Sequence, residues 1–293
     1  MTSQEKTVPL SVLIHTYNEA DQIRDCLRSV GFAREIYLLD AFSTDGTAEI
    51  VREEFPHVRL EQREARGSAA QKNYGIGRVT HDWILVVDAD ERVTPELRSE
   101  IIRTLESGSA FRAWSIPRRN FMLGEPVRWS GLQNDRVTRL FHRDHARYPN
   151  KRVHADMIVN GPVGRLDAPF LHFYVRSLDH LADKMKRYGI WGGAQIFRDG
   201  QRPGFSEIAL RPMWRFVRDL ILMRGFLDGW RGFVLSWFHG YYTFLKYAKA
   251  WEFFEIADQG GQPALPAFDE DDVRWELPWE SAQSSERSSE PER

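Results

Sequence analysis

Cysteine is almost missing from this sequence: Cys26 is the one cysteine in 293 residues. No intrachain disulfide can form, which excludes a disulfide-stapled secreted scaffold and fits a reducing cytoplasm. An excess of one charge is missing too. Lys and Arg number 40 against 42 Asp and Glu, so the balance makes no case for a nucleic-acid partner. The opening MTSQEKTVP has no apolar core and reads as something other than a signal peptide. No run approaches the roughly 18 uncharged apolar residues of a membrane span. Neither G-x-G-x-x-G nor G-x-x-x-x-G-K-[ST] follows the first strand pattern, which leaves a dinucleotide or P-loop site unsupported.

What is present is more telling. WILVVDADE, from Trp83 to Glu91, is a short apolar run that ends in Asp88, Asp90 and Glu91. Such a run reads as a strand buried on both faces, as in a parallel sheet covered by helices. Unpaired acids at its end would be costly to bury. In open α/β sheets those carboxyl ends form the ligand crevice. Two hard oxygen donors there suit Mg²⁺ or Mn²⁺ shared with phosphate oxygens. The alternative is a helix cap, with Asp90 or Thr94 capping a helix that starts near Pro95.

The first hundred residues alternate strand and helix patterns. Strands are expected at 10–15, 35–40, 58–62 and up to Asp88. Helices are expected at 19–30, from Ser43–Asp45 to about Phe55, and from Ser68 to Val79. This β-α-β-α order predicts a parallel sheet with right-handed crossovers. Three strand ends then converge. One carries His15, Thr16, Tyr17, Asn18 and Glu19, another Asp40, and another Asp88 and Asp90. Asp40 reads either as a turn residue or as an acceptor for base and ribose donors.

HTYNEADQIRDCL, LLDAFSTDGTAEIV, AQKNYGI and DWILVVDADERVTPEL, in that order, resemble the family 2 glycosyltransferases of the GT-A fold, in particular the group of lipopolysaccharide core β-1,4-glucosyltransferases. RVTRLFHRD, VHADMIVNGPVGRL and FLHFYVRSL extend the resemblance over roughly residues 9–190. It implies an α/β GT-A domain, a nucleotide-sugar donor such as UDP-glucose, a divalent cation and inversion at the anomeric carbon. Carried onto this sequence, His15, Tyr17, Asn18 and Asp40 would surround base and ribose, Asp88 would face ribose or sugar, and Asp90 would hold Mg²⁺ or Mn²⁺. His172 stands where many such enzymes place a late metal-binding histidine; its other reading is a core histidine. Lys72 reads as a phosphate-side cation or as an exposed helix residue.

Inversion needs a base for the acceptor hydroxyl. Relatives usually carry His-Glu where this chain has His154 and Ala155. Asp156, one residue later, and Asp135, in WSGLQNDRVTRL, are the candidates, although neighbouring side chains of an extended segment face opposite ways. Arg136, Arg139, Lys184 and Arg187 read as contacts for an anionic acceptor or as solvated charges.

Aromatic residues make up 13% of the chain and crowd between Phe205 and Phe254. Trp214, Trp230, Trp237 and Trp251 alternate there with arginines and lysines, in helical patterns that Gly225, Gly229 and Gly232 are expected to interrupt. This suits helices lying on an anionic bilayer surface; packing on the core or in a dimer is the alternative. The expected organisation is a flexible 1–8, a nucleotide-sugar half at 9–110, an acceptor half at 111–190, a helical membrane-associating extension at 191–257 and a mostly disordered tail at 258–293. The functional expectation is a cytoplasmic, membrane-peripheral enzyme that glycosylates a cell-envelope glycolipid. Its rivals are a D-x-D phosphohydrolase, whose motif normally opens the first strand, and a non-catalytic scaffold, favoured by Ala155 alone.

Overall fold

A computed structural model describes residues 7–64, 68–108, 110–149 and 157–266. Within them the chain forms two compact units, one from 7–118 with 136–172 and the other from 119–135 with 173–266. The segment expected as one acceptor half, 111–190, is thus shared between the two.

The first unit begins with β1 (Val8–Thr16), α1 (Ala20–Ser29), β2 (Ala33–Asp40), α2 (Thr47–Glu54), β3 (Arg59–Gln62), α3 (Ser68–Ile76) and β4 (Trp83–Asp88). After β5 (Glu91–Val93) and α4 (Pro95–Glu106) come β6 (Ala113–Met122), β7 (Glu125–Val127), β8 (Arg136–His142), β9 (Ala146–Arg147), β10 (Ile158–Val159), β11 (Val163–Arg165) and β12 (Phe170–Val175). The sheet runs β3-β2-β1-β4-β8-β6-β12-β5, with β7 and β11 also pairing with β6. Strands β3, β2, β1 and β4 are parallel neighbours, as the alternating pattern required. β8 is antiparallel to both β4 and β6.

Burial explains the continuous apolar runs. Ile84, Leu85, Val86 and Val87 are all fully buried. Leu85 and Val87 join Val12, Ile14 and Leu38 under α1 and α4; Ile84 and Val86 join Leu13, Tyr37 and Leu39 under α3. A strand covered on both faces has no polar side to alternate. In α1, Ile23, Cys26 and Leu27 fall on the buried face. Cys26 behaves there as a small apolar residue, and burial pushes its thiol pKa far up. Val8, the last residue of the stretch expected to be flexible, already belongs to β1 and is buried; residues 1–6 lie outside the described residues.

In the second unit, Asn120–Met122 of β6 pair with β7, the end of β12 from Phe173 to Val175 follows, and helices make up most of what remains. α5 (Leu178–Arg198) is capped by Ser177, whose Oγ accepts the His180 N–H. A helix with π-wound ends, 206–222, contains α6 (Arg211–Val217); a 3₁₀ turn, Gly225–Asp228, leads into α7 (Gly229–Asp258). α7 runs unbroken through Gly232, contrary to the expected interruption. A Cβ at Gly232 would lie 1.8 Å from the Gly225 carbonyl oxygen, so this glycine permits close approach instead of ending a helix. Gly193 serves the same purpose between α5 and α7, where a Cβ would meet the Lys246 carbonyl at 2.8 Å. Met122, Val127, Val175, Leu181, Met185 and Leu235 form the core of this unit. The expected disordered tail lies, from residue 267 on, outside the described residues.

Candidate active site

Register brings the strand ends together. His15 pairs with Asp88 across β1 and β4, and Thr16 with Asp40 across β1 and β2. Asp88 then becomes the centre of a charge cluster. Its carboxylate pairs with Arg139 of β8, lies 3.3 Å from Lys72 Nζ of α3 and 3.5 Å from His15 Nδ1. Glu91 is fully buried behind it. One Glu91 oxygen accepts the Asp88 N–H at 3.0 Å, and the other lies 3.5 Å from Arg118 and 3.8 Å from Arg139. Tyr148 closes one side, with Lys72 over its ring at 5.2 Å and its hydroxyl accepting from Arg139 at 3.4 Å.

Three cations therefore surround two carboxylates in a place nearly out of water, and the pKa values respond. Burial alone would raise Asp88, but Arg139 and then Lys72 outweigh it and hold the carboxyl well below its ordinary range. Burial, helped by the Arg139 charge and opposed by Asp88, lowers Lys72 to about 8. Burial and then Lys72 lower His15 to about 4. Near neutral pH, Asp88 is thus ionised, Lys72 charged and His15 neutral.

Asp90, two residues on, points to a different partner: its Oδ2 lies 3.5 Å from His172 Nε2 on β12. His172 is held in register with Glu91 by the β12–β5 pairing. The cap reading belongs to Thr94 instead, whose Oγ1 accepts the Leu97 N–H at 3.1 Å. A carboxylate and an imidazole at this spacing fit a divalent cation that takes its other ligands from phosphate oxygens and water. No cluster of three or more potential protein ligands occurs among the described residues, so two protein donors are the set that those residues offer.

The remaining calls divide. Lys72 is buried, which removes its reading as an exposed helix residue. Asn18, with φ of 56°, accepts the Thr44 N–H through Oδ1 at 2.8 Å and donates its own N–H to Ser43 Oγ at 2.8 Å. It therefore pins the loop after β2. Tyr17 is about half exposed. Asp40 is fully buried, and its carboxylate accepts from the Ser43 N–H at 3.0 Å, from Ser43 Oγ, and from Gln62 Nε2 at 2.9 Å. This geometry is that of the turn residue. Asp135 belongs to the second unit, where Oδ2 accepts from Asn120 Nδ2 at 2.8 Å. Asp156, with His154 and Ala155, lies outside the described residues.

Arg139 was legible as an acceptor contact or a solvated charge; it is instead the buried counterion of Asp88. Arg136 is a strut, donating to the Ser115 and Leu166 carbonyls. The usable signal was Arg139's place in an apolar strand next to Leu140 and Phe141, since a buried guanidinium demands a carboxylate. Arg118 carried no such signal. A cavity of about 370 Å³ between α2 and β3 is lined by Phe55, Pro56 and Leu60 among others; it holds none of this cluster.

A parallel-centred sheet covered by helices, with a D-x-D strand end facing cations, is the GT-A arrangement. The profile of "Glycosyl transferase family 2" matches residues 11–157, and the chain belongs to that family. It is similar to the lipopolysaccharide core biosynthesis glycosyltransferase LpsC of Rhizobium meliloti, at 28% identity over 84% of this chain and 93% of the relative. An uncharacterized glycosyltransferase of Rickettsia bellii is 27% identical over 84% of this chain and 87% of its own. Among solved structures, S. aureus TarS 1–349 in complex with UDP aligns with 15% identity and a TM-score of 0.44, covering 89% of this chain and 94% of that one. The mannosyltransferase PcManGT of Pyrobaculum calidifontis, in complex with GDP-Man and Mn²⁺, aligns with 17% identity and a TM-score of 0.43 over 96% and 80%. The matched stretch includes the D-x-D motif, so the phosphohydrolase and scaffold readings give way to a glycosyltransferase.

Proposed function

We propose that this glycosyltransferase inverts the anomeric carbon while moving a hexose, glucose, from UDP-glucose to a cell-envelope glycolipid such as a lipopolysaccharide core, working at the inner face of the cytoplasmic membrane. The observation that carries the donor side is the Asp88 cluster, where Lys72, Arg118 and Arg139 outnumber their carboxylates beside the Asp90–His172 pair. An excess of positive charge in a poorly solvated place favours a diphosphate over water. Asp90 and His172 would hold Mg²⁺ or Mn²⁺. When bound, the ion supplies Lewis-acid stabilisation of the diphosphate leaving group.

The protein's own groups have separable tasks in this reading. Lys72 supplies phosphate-side charge. Asp88, kept ionised by Arg139, accepts from a ribose or sugar hydroxyl. Neutral His15 adds a hydrogen bond beside it, and Tyr17 offers an exposed ring to the base. Asp40 shapes the base pocket through the 40–46 loop, and any direct bond to a uracil imide would need Ser43 or Gln62 to yield. Asp156 or Asp135 deprotonates the acceptor hydroxyl. The acceptor class is supported by likeness to LpsC along most of both chains.

A thermal-shift screen of nucleotide sugars with Mn²⁺ tests the donor, with the largest shift expected for UDP-glucose; a larger one for a GDP-sugar would remove the assignment. Mass spectrometry of glycolipids from a strain lacking the protein should then show loss of one hexose. For the base, Asp156→Asn is expected to abolish transfer while donor affinity stays nearly constant, because the base acts on the acceptor. If Asp135→Asn gives that result and Asp156→Asn stays active, the roles exchange.

A further inference from the structure

The second unit exposes apolar surface that a protein surrounded by water would hide. Leu210, Trp214, Val217 and Ile221 recur at helical spacing along 206–222 and are 59%, 59%, 41% and 53% exposed. The opposite side of this helix is fully used. Phe216 stacks on Trp237 of α7 at 4.7 Å, and buried Asp219 accepts from Arg215 at 2.7 Å and meets His239 Nδ1 at 2.7 Å. The helix is thus fixed on α7 with its apolar stripe turned outward. The turn that follows continues the stripe through Phe226, Leu227 and Trp230, the last 81% exposed.

Cations stand beside this apolar turn. Arg224, held at φ 56°, and Arg128 are both exposed, and their guanidinium carbons lie over the Trp129 ring at 5.6 and 5.5 Å. The acid nearest in this turn, Asp228, is committed to backbone, accepting the N–H groups of Arg128 and Trp129 at 3.0 and 2.7 Å. Guanidiniums braced on an indole, next to protruding Phe and Trp, match the layering of a bilayer surface: rings among the acyl ends, cations at the phosphates. No helix among the described residues is long and apolar enough to cross a membrane.

We propose that the 206–230 segment lies in the plane of an anionic bilayer, inserting the Leu210–Ile221 stripe and the Phe226–Trp230 turn, while Arg128 and Arg224 bind the phosphates of lipid headgroups. This rests on the reading of the chain as an enzyme acting at a membrane, and it specifies the surface used. Notably, it assigns the contact to this segment and not to Trp237, which is stacked against Phe216.

The test is co-sedimentation of the full chain with phosphatidylglycerol–phosphatidylcholine vesicles and with phosphatidylcholine alone. The chain is expected to bind the anionic vesicles and to be partly released at 1 M salt. Arg128→Gln with Arg224→Gln should weaken partitioning roughly 25-fold, about fivefold for each surface cation, and remove most of the salt dependence. Phe226→Ser with Trp230→Ser should abolish binding at every salt concentration. Both double variants and the parent should share one UDP-glucose thermal shift, so a failure of donor chemistry is read separately from a failure of docking. Absence of vesicle binding at low salt, unchanged partitioning of the arginine variant, or dimerisation through this face in sedimentation velocity would overturn the proposal. So would displacement from vesicles by millimolar glycerol 3-phosphate, which would mark a site for free phosphate.

Discussion

The two units treat charge and apolar surface in opposite ways. The first gathers buried Glu91, Lys72 and Arg139 around a partly exposed Asp88 and hides its hydrophobic residues in two cores on either side of a sheet. The second pairs its buried Asp219 with Arg215, sets the His239 ring against it, and leaves a row of large apolar side chains in the open. Burying several ions close together is costly unless each is paired. A fold bears that cost where a site must meet a charged ligand, and bears exposed apolar surface where a contact must be made with something apolar. In the function proposed above, the contrast separates a place for chemistry from a place for attachment.

The comparison can be broken at the buried ions first. Arg139→Met would leave Asp88 and Glu91 with Lys72 and Arg118 alone. It is expected to destabilise the protein by roughly 3 kcal/mol, the low end for breaking a buried pair, measured by urea unfolding. A loss within the range of an exposed pair, below about 1 kcal/mol, would mean that the cluster is solvated.

The next effect is in pH. Because Lys72 falls to about 8, kcat/KM for the donor is expected to decline above pH 8, approaching tenfold per unit if the charged form alone binds phosphate. Stability moves the other way. The unfolded chain keeps this proton up to about 10.4, so between 8 and that value it binds more protons than the folded chain, and stability rises with pH. Lys72→Arg should push the activity decline upward and remove the stability rise. A profile identical to that of the parent would take Lys72 out of the site.

The smallest effect concerns the loop after β2. Asp40→Asn puts an amide where three donors converge and is expected to cost about 1 kcal/mol, with a small loss of UDP affinity because the loop loosens. Abolished UDP binding in a protein of unchanged stability would restore Asp40 as a direct ligand of the base.

Much of this first unit was legible because its information is local. Apolar runs bounded by cap residues gave the four parallel strands and their helices, and D-x-D marked the strand end where the charged side chains gather. What escaped were the counterions. Arg139 and Arg118 reach Asp88 and Glu91 from strands far along the chain, and no spacing in sequence encodes that meeting. The second unit was harder still. Residues 119–135 join 173–266 across an intervening segment of the other unit, and composition does not reveal a discontinuous partner. Composition also fails to separate outward from inward aromatics: Trp214 and Phe216 are two residues apart, yet one is exposed and the other stacked. Gly232 looked like a helix breaker because close packing against Gly225 has no local signature.

The most direct test of the central claim, a nucleotide-sugar site that Asp90 completes with a divalent cation, is calorimetry of UDP-glucose binding with Mn²⁺ and with chelator, on the parent and on Asp90→Ala. Strong binding that needs Mn²⁺ is expected for the parent. Asp90→Ala should bind weakly and equally with or without the ion, and its turnover should fall by about 10²-fold or more, the scale of several kcal/mol of lost charge stabilisation. Equal, Mn²⁺-dependent affinity and full turnover in both proteins would contradict the account.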